Sequence, residues 1–116
     1  MNSIQEQINV RIVDEIKSLF NSLSNLTGRE WRLLEQLLNL TQHNFVNKLR
    51  CDYPQLSEDD VKVVMLLRTH LTHEQIARID HIELSSLRKR RYRIKKKMQV
   101  ECSSFSLFIK NLYVDV

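Results

Sequence analysis

Apolar residues recur at steps of three and four positions along most of the chain, which is the spacing of one face of an α-helix. Residues 3–24 show the pattern most clearly and predict a first amphipathic helix. Its apolar positions are Ile4, Ile8, Ile12, Ile16, Leu19 and Leu23. The spacing from Ile12 to Leu26 is heptad-like, but it covers only about two heptads, which is too few for a coiled coil. We expect this helix to pack on its own domain, with a dimer contact or the tail of a longer coil that joined a sensor domain as the alternatives.

Three short sequences mark further helix starts. Residues 27–30, 57–60 and 72–75 each begin with Ser or Thr and carry an acidic or amide side chain three positions later. In such a capping box, each side chain bonds the backbone N–H of the other residue. Another helix is predicted from Thr41, ending at Tyr53-Pro54, since a residue before proline disfavours the α conformation. The predicted fold class is therefore all-α.

The helix that opens at Thr72 is short and is followed closely by another. Residues 80–83 separate its apolar positions from a second helical pattern over residues 84–98. Ala77, in the first of the two, is small enough to let the second cross closely. Two helices joined by so short a turn, the second cationic on its outer side, predict a helix-turn-helix.

The segment 84–98, LSSLRKRRYRIKKKM, contains eight basic residues and no acidic one. As a helix it would place Leu84, Leu87, Ile94 and Met98 on one side, and Ser85, Lys89, Tyr92, Arg93 and Lys96 on the other. Like charges four positions apart destabilise an isolated helix by roughly 0.2–0.5 kcal/mol each. Since no acid within the segment offsets them, we expect folding to gain nothing from this charge. A solvated surface normally mixes both signs, so a polyanion is the predicted partner.

Composition and charge distribution support one helical domain with a polyanion-binding half. The chain has 116 residues, one Gly and one Pro, which leaves little material for hairpin turns. Residues 1–60 hold six basic and nine acidic residues, net −3, whereas residues 61–116 hold twelve basic and five acidic, net +7. The partner surface is therefore expected in the second half.

Other kinds of chemistry find little support in the sequence. Cys51 and Cys102 form no CxxC pair, and the four histidines share no ligand spacing, so neither a metal site nor a cofactor is predicted. No nucleophile–base motif or glycine-rich phosphate loop suggests an enzyme or a small-molecule substrate. The N-terminus is polar, and no apolar run reaches the roughly 18 residues of a membrane helix. We expect a soluble cytoplasmic protein.

Residues 56–100 resemble the LuxR/GerE-type helix-turn-helix domain, the C-terminal effector domain of bacterial transcriptional regulators, without a gap. Matching or similar residues are Leu56-Ser57, Val63-Val64, Leu66-Leu67, Leu71-Thr72, Ile76-Ala77, Ile82, Ser86-Leu87-Arg88, Ile94, Lys97-Met98 and Val100. Residues 45–54 are similar to the helical segment that precedes this domain in bacterial sensor-regulators. The resemblance implies a four-helix DNA-binding domain in residues 54–116, preceded by a helical segment in residues 1–53. It also implies that the third helix enters the major groove and the fourth pairs two subunits.

Four residues depart from the family pattern. His70 stands where Gly is usual, Asp80 where an apolar residue is usual, and Glu83 where a Ser N-cap is usual. Arg91 lies within the apolar side of the recognition helix. We expect Arg91 to reach a carboxylate, either Asp80 or one in the turn after Ser57, with extension to solvent as the alternative.

The predicted site is the outer side of the basic helix together with the start of the helix before it. Its DNA-binding residues are Thr72, Ser85, Ser86, Arg88, Lys89, Arg90, Tyr92, Arg93 and Lys96. Early outward residues would face base edges and later ones phosphates. Homodimer contacts are predicted from Phe105, Phe108, Ile109 and Leu112, with core packing as the alternative.

Two other functions compete with a transcriptional regulator. The region resembles, more distantly, the promoter-reading domain of sigma factors, whose partner would be RNA polymerase. The basic helix could instead bind an acidic protein or an anionic membrane surface. A membrane helix would expose bulky apolar residues beside its charges, and here the apolar side is narrow.

Overall fold

The computed structural model describes residues 26–69 and 71–114, and its regular structure in these ranges is entirely α-helical. The helices are α1 (Gly28–Thr41), α2 (Phe45–Asp52), α3 (Glu58–Arg68), α4 (His73–Ile79), α5 (Leu84–Met98) and α6 (Phe105–Asn111). The predicted all-α class is confirmed for these residues. The helix predicted over residues 3–24 and the departure at His70 lie outside the described residues. None of the described helices is long and apolar enough to span a membrane.

All three predicted capping boxes are formed. At the start of α1, the Thr27 hydroxyl accepts the Glu30 amide at 3.2 Å, and the Glu30 carboxylate accepts the Thr27 amide at 3.0 Å. Ser57 and Thr72 cap α3 and α4 in the same reciprocal way. Each cap contributes roughly 1 kcal/mol, and together they fix where these helices begin.

The start of α2 differs from the prediction. Thr41 does not open this helix; it is the last residue of α1, and its hydroxyl donates to the carbonyl four residues earlier. The helix begins at Phe45, after Asn44 in the left-handed conformation with φ 60°. Asn44 makes no side-chain cap bond, and the Asn39 side chain of α1 accepts the Val46 amide at 2.8 Å instead. The cap comes from the neighbouring helix, which local sequence does not reveal. The predicted end before Pro54 is confirmed.

The central helix is α3, which contacts each of the other five described helices. Its Val63, Val64 and Leu66 side chains are fully buried. They belong to one hydrophobic cluster that runs from Leu26 to Ile109. Residues on both sides of the predicted boundary at 53/54 lie in this cluster, and the boundary itself stays a prediction.

The C-terminal helix α6 packs on α3. Phe105 and Ile109 are buried, while Phe108 and Leu112 are half-buried. Core packing is therefore what the structure shows for Phe105 and Ile109, which were also predicted as dimer contacts. A subunit contact through this element would have to use its more exposed residues.

A buried arginine attaches α6 to the central helix. The Arg68 guanidinium donates to the carbonyl oxygens of Ile109 at 2.6 Å and Leu112 at 2.8 Å, and it lies 4.6 Å from the centre of the Phe45 ring. Burial lowers the pKa of Arg68. The carbonyls at the C-terminal end of a helix carry partial negative charge, so they compensate the buried cation.

Candidate nucleic-acid interface

A tight turn positions the basic helix α5. Four residues, 80–83, separate α4 from α5, as predicted, and the Ile82 amide donates to the Ala77 carbonyl at 3.0 Å. Ala77 is buried, and His81 has φ 56°. Glu83 is the N-cap of α5 but makes no side-chain cap bond. Backbone bonding and the small Ala77 side chain therefore hold the two helices together.

The apolar and polar sides of α5 lie as the sequence predicts. Leu87, Ile94 and Met98 are buried, and Leu84 is half-buried against the core. The predicted outward residues that are exposed are Ser85, Ser86, Arg88, Lys89, Tyr92, Arg93 and Lys96. The core thus fixes α5 by one side and leaves the opposite side to solvent.

The flanks of α5 carry ion pairs that the sequence did not predict. Arg90 bonds Asp80 at 3.0 Å, and Lys97 bonds Asp60 at 2.5 Å. Lys95 donates to the Cys102 carbonyl at 2.9 Å. The expectation that folding gains nothing from the charge is therefore wrong for these cations, because their partners come from outside the segment.

The two ion pairs act on the pKa values of the carboxyl groups of Asp60 and Asp80. Burial acts to raise the pKa of Asp60, but the hydrogen bonds from Lys97 and Ser57 outweigh it, so this pKa is lowered. Burial raises the pKa of Asp80, and the positive charge of Arg90 opposes the rise without cancelling it. Asp80 therefore depends on Arg90 to remain charged in a half-buried position.

The structure places two arginines of α5 in surroundings that the sequence did not predict. Arg90, predicted to bind DNA, is half-buried and its Nη1 bonds Asp80, and its contact with DNA stays a prediction. Arg91 makes no ion pair with a described carboxylate, so the expected partner is wrong. Its Nη2 donates instead to the Ser106 hydroxyl at 3.0 Å, and its buried Nε has no partner among the described residues.

The outward side of α5 contains cations that the described part of the fold leaves unpaired. Arg88, Lys89 and Arg93 form no hydrogen bond or ion pair with described residues, and with Tyr92 they line an open depression. Lys96 lies over the Tyr92 ring, 4.8 Å from its centre. We call these five residues the reading face. Four cations around an exposed aromatic ring can bind phosphates and contact base edges.

Thr72 lies at the start of α4 and is exposed, as predicted. Its hydroxyl accepts the Gln75 amide at 3.2 Å, and its own amide donates to the Gln75 side chain at 2.8 Å. The Thr72 amide is therefore already engaged, and the hydroxyl proton is what this residue can still offer to an acceptor.

Sequence reasoning missed a group of residues beside the reading face. His73 Nε2 lies 3.2 Å from the Ser106 hydroxyl, which also accepts the bond from Arg91. Burial lowers the pKa of His73, and the charge of Arg91 lowers it further. Ser106 is 33 positions from His73 in sequence, so only the folded chain brings them together.

No protein-family model, no curated protein and no solved structure matches this chain. The resemblance of residues 56–100 to LuxR/GerE-type domains therefore stays a prediction drawn from the residues themselves. The reading face and the helices that hold it are the features of this chain that point to a function.

Proposed function

We propose that the protein is a sequence-specific DNA-binding transcriptional regulator that acts as a dimer, with α5 in the major groove. The observation that carries this proposal is the division of charge on α5. Cations on its flanks are bonded to Asp60, Asp80 and the Cys102 carbonyl, whereas the four cations of the reading face have no acidic partner among the described residues. A polyanion supplies the missing charge, because each phosphate that a Lys or Arg neutralises releases condensed counterions.

The dimensions of α5 suit this role. Its 15 residues give a helix of about 22 Å. The major groove, about 12 Å wide, admits an α-helix. The buried residues of α5 anchor it on α3 and α4, so its outer side is presented on a rigid support.

Roles on the reading face follow from position along the helix. The earlier outward residues of α5 are Arg88, Lys89 and Tyr92 of the reading face, together with Ser85 before it. They face the groove floor in this proposal, where Arg and Lys suit guanine O6 and N7. Tyr92 packs on a thymine methyl group or binds a phosphate. Arg93 and Lys96, further along, bind the DNA backbone.

We also propose that α3 to α6 form a four-helix domain of the LuxR/GerE type, with α4 bracing the DNA backbone and α6 near the subunit contact. The helix order supports this assignment. Because Phe105 and Ile109 are buried, the contact would use Phe108, Leu112 and the 59 % exposed Leu107. Apolar side chains exposed on a terminal helix suit a contact between two copies.

Selection of bound sites from a random double-stranded DNA library tests the proposal. We expect one enriched sequence, arranged as an inverted repeat whose half-sites lie about one helical turn apart. Failure to enrich any sequence, with the folded protein and near-physiological salt, would contradict sequence-specific binding. RNA polymerase added to a parallel selection distinguishes the sigma-factor-like alternative, which requires polymerase for enrichment.

Two classes of substitution then separate base reading from backbone binding. Lys89→Ala should cost about 1–3 kcal/mol on the selected site and relax preference at one base pair. Lys96→Ala should weaken binding to selected and random DNA equally. If both variants behave identically on the two DNAs, the assignment of Lys89 to a base edge is wrong.

A helix that binds an anionic membrane is expected to expose different residues from those that α5 exposes. Such a helix exposes bulky apolar residues next to its charges. The described part of α5 exposes one large aromatic side chain, Tyr92, and its Leu and Ile residues face the core. Binding to acidic liposomes that exceeds binding to duplex DNA at equal salt would favour the membrane alternative.

A further inference from the structure

A second cationic group lies beside the reading face, where α4, α5 and α6 meet. We call it the junction cluster: His73 from α4, Arg91 from α5, and Ser106 and Lys110 from α6. The Ser106 hydroxyl links two of the elements, since it accepts from Arg91 at 3.0 Å and lies 3.2 Å from His73 Nε2. Lys110 is four residues after Ser106 on the same helix, hence on the same side. Three separate helices thus bring positive or protonatable groups to one place.

The junction cluster has little negative charge to balance it. Glu74 is the acid whose field reaches His73, and it acts against Arg91, Lys110 and Arg88. Arg91 has no ion pair with a described carboxylate, and its Nε has no hydrogen-bond partner there. The flank cations Arg90 and Lys97, by contrast, each have a carboxylate. Half-buried cations that repel one another would be stabilised by an anion.

We propose that the junction cluster binds one phosphate of the DNA backbone, with His73 and Lys110 facing the phosphate and Arg91 holding Ser106 in place. This inference rests on the proposed DNA-binding function and adds a backbone contact from α6. Its position supports it: Arg88 of the reading face is close enough to His73 to act on its charge. A duplex seated on α5 would then present phosphates to the same edge.

Binding at this place should be linked to a proton. Because Ser106 accepts from Arg91, its own hydroxyl proton can point at Nε2 of neutral His73. The charged groups facing His73 are Glu74 on α4, Arg88 and Arg91 on α5, and Lys110 on α6, and burial with the cations keeps its pKa below the usual value. A phosphate opposes those cations and raises this pKa, so the complex takes up a proton. Affinity should therefore rise as pH falls, by up to about tenfold per pH unit between the two pKa values.

The test uses the full chain and a mixed-sequence duplex, because a backbone contact does not depend on sequence. Affinity is measured from about pH 8 to about pH 5.5 and over a range of salt, and proton uptake is measured by calorimetry in two buffers of different ionisation enthalpy. The variants are His73→Gln and Lys110→Gln, with His43→Asn as the control. His43 is exposed in the turn between α1 and α2 with φ 57°, a conformation that Asn tolerates.

We expect the wild type and His43→Asn to take up the same fraction of a proton on binding. His73→Gln should lose that uptake, bind several-fold more weakly at low pH, and bind almost as well as wild type at high pH. Lys110→Gln should flatten the salt dependence by about one unit. Lys110 is exposed, so this variant tests the contact even if His73→Gln folds poorly.

Three results would overturn the inference. If His73→Gln takes up as many protons as the wild type and Lys110→Gln has the wild-type salt slope, the junction cluster does not bind a phosphate. The proposed DNA-binding function would not be affected by that result. A wild-type chain that binds no duplex would overturn both this inference and the proposed function. An NMR titration in which millimolar inorganic phosphate raises the His73 pKa as much as the duplex does would identify a small-anion site rather than a DNA contact.

Discussion

Neutralising either of two arginines that lie three positions apart on α5 should affect a different property of the protein: DNA binding for Arg93 and stability for Arg90. Arg93 is exposed and forms no ion pair with described residues, whereas Arg90 bonds Asp80 at 3.0 Å. We expect Arg93→Gln to weaken DNA binding and its salt dependence, because a phosphate contact is lost. Arg90→Gln should instead lower the free energy of unfolding, because Asp80, with 19 % of its side chain exposed, loses its partner.

The magnitude follows from the two cations of the reading face that are assigned to the DNA backbone, Arg93 and Lys96. Two phosphate contacts give a slope of log affinity against log salt of about −1.8, so affinity falls about 12-fold between roughly 50 and 200 mM salt. Removing Arg93 reduces the slope to about −0.9 and the fall to about 3.5-fold. A contact at the junction cluster adds equally to every form, so the difference between forms is the measured quantity.

Fluorescence anisotropy with a labelled mixed-sequence duplex measures the slopes, and urea unfolding measures the stabilities. We expect Arg93→Gln to unfold like the wild type, within about 0.5 kcal/mol. If Arg93→Gln leaves the salt slope unchanged, the side of α5 that carries Arg93 does not contact phosphates. If the two variants flatten the slope equally, the distinction between paired and unpaired cations has no bearing on DNA binding.

Three further substitutions test the support beneath the reading face. Arg68→Ala removes two charge-assisted hydrogen bonds to α6, so urea unfolding should show a loss of at least about 3 kcal/mol, and a loss below about 1 kcal/mol would contradict the role of Arg68. Asp60→Asn should lower the melting temperature at neutral pH. The pKa of Asp60 is lowered in the folded state, so the charged carboxylate stabilises the fold above its unfolded pKa of about 3.9, and this stabilisation is lost as pH falls through the folded value. The difference in melting temperature between Asp60→Asn and the wild type should therefore shrink in acid. A difference that stays constant with pH would refute this. Ala77→Leu should cost about 1–3 kcal/mol by overpacking the crossing of α4 and α5, and calorimetric melting at or above the wild-type temperature would show that the crossing is not close.

Local signals in the sequence predicted much of the fold. The capping boxes at Thr27, Ser57 and Thr72 depend on residues three positions apart, and the apolar side of α5 depends on steps of three and four. Both kinds of signal lie within one helix, so reading them requires no knowledge of the tertiary arrangement. The prediction for the start of α2 was wrong because its cap does not lie within the helix: it is the Asn39 side chain of another helix.

The sequence predicted which side of α5 forms the candidate site, but it did not predict which of the cations on α5 bond to other side chains. Periodicity separated the exposed side of α5 from the buried side, but it could not say which flank cations meet an acid. Lys97 and Asp60 are 37 positions apart, and Arg91 meets Ser106 rather than the Asp80 carboxylate that Arg90 takes. Pairings of this kind depend on the rotation of each helix about its axis, which the sequence pattern does not fix.

The two ion pairs on α5 also set its rotation. Arg90 and Lys97 are about two helical turns apart and lie on the same flank, and their acids belong to different parts of the fold: Asp80 to the turn before α5 and Asp60 to the start of α3. A hydrophobic face alone tolerates small rotations of a helix, because apolar contact is not directional. Two charge-assisted hydrogen bonds on one flank are directional, so they restrict rotation near the middle of the helix and at its C-terminal end. Base edges are read over hydrogen-bond distances, so a helix that presents Lys89 to a particular base requires this kind of restraint.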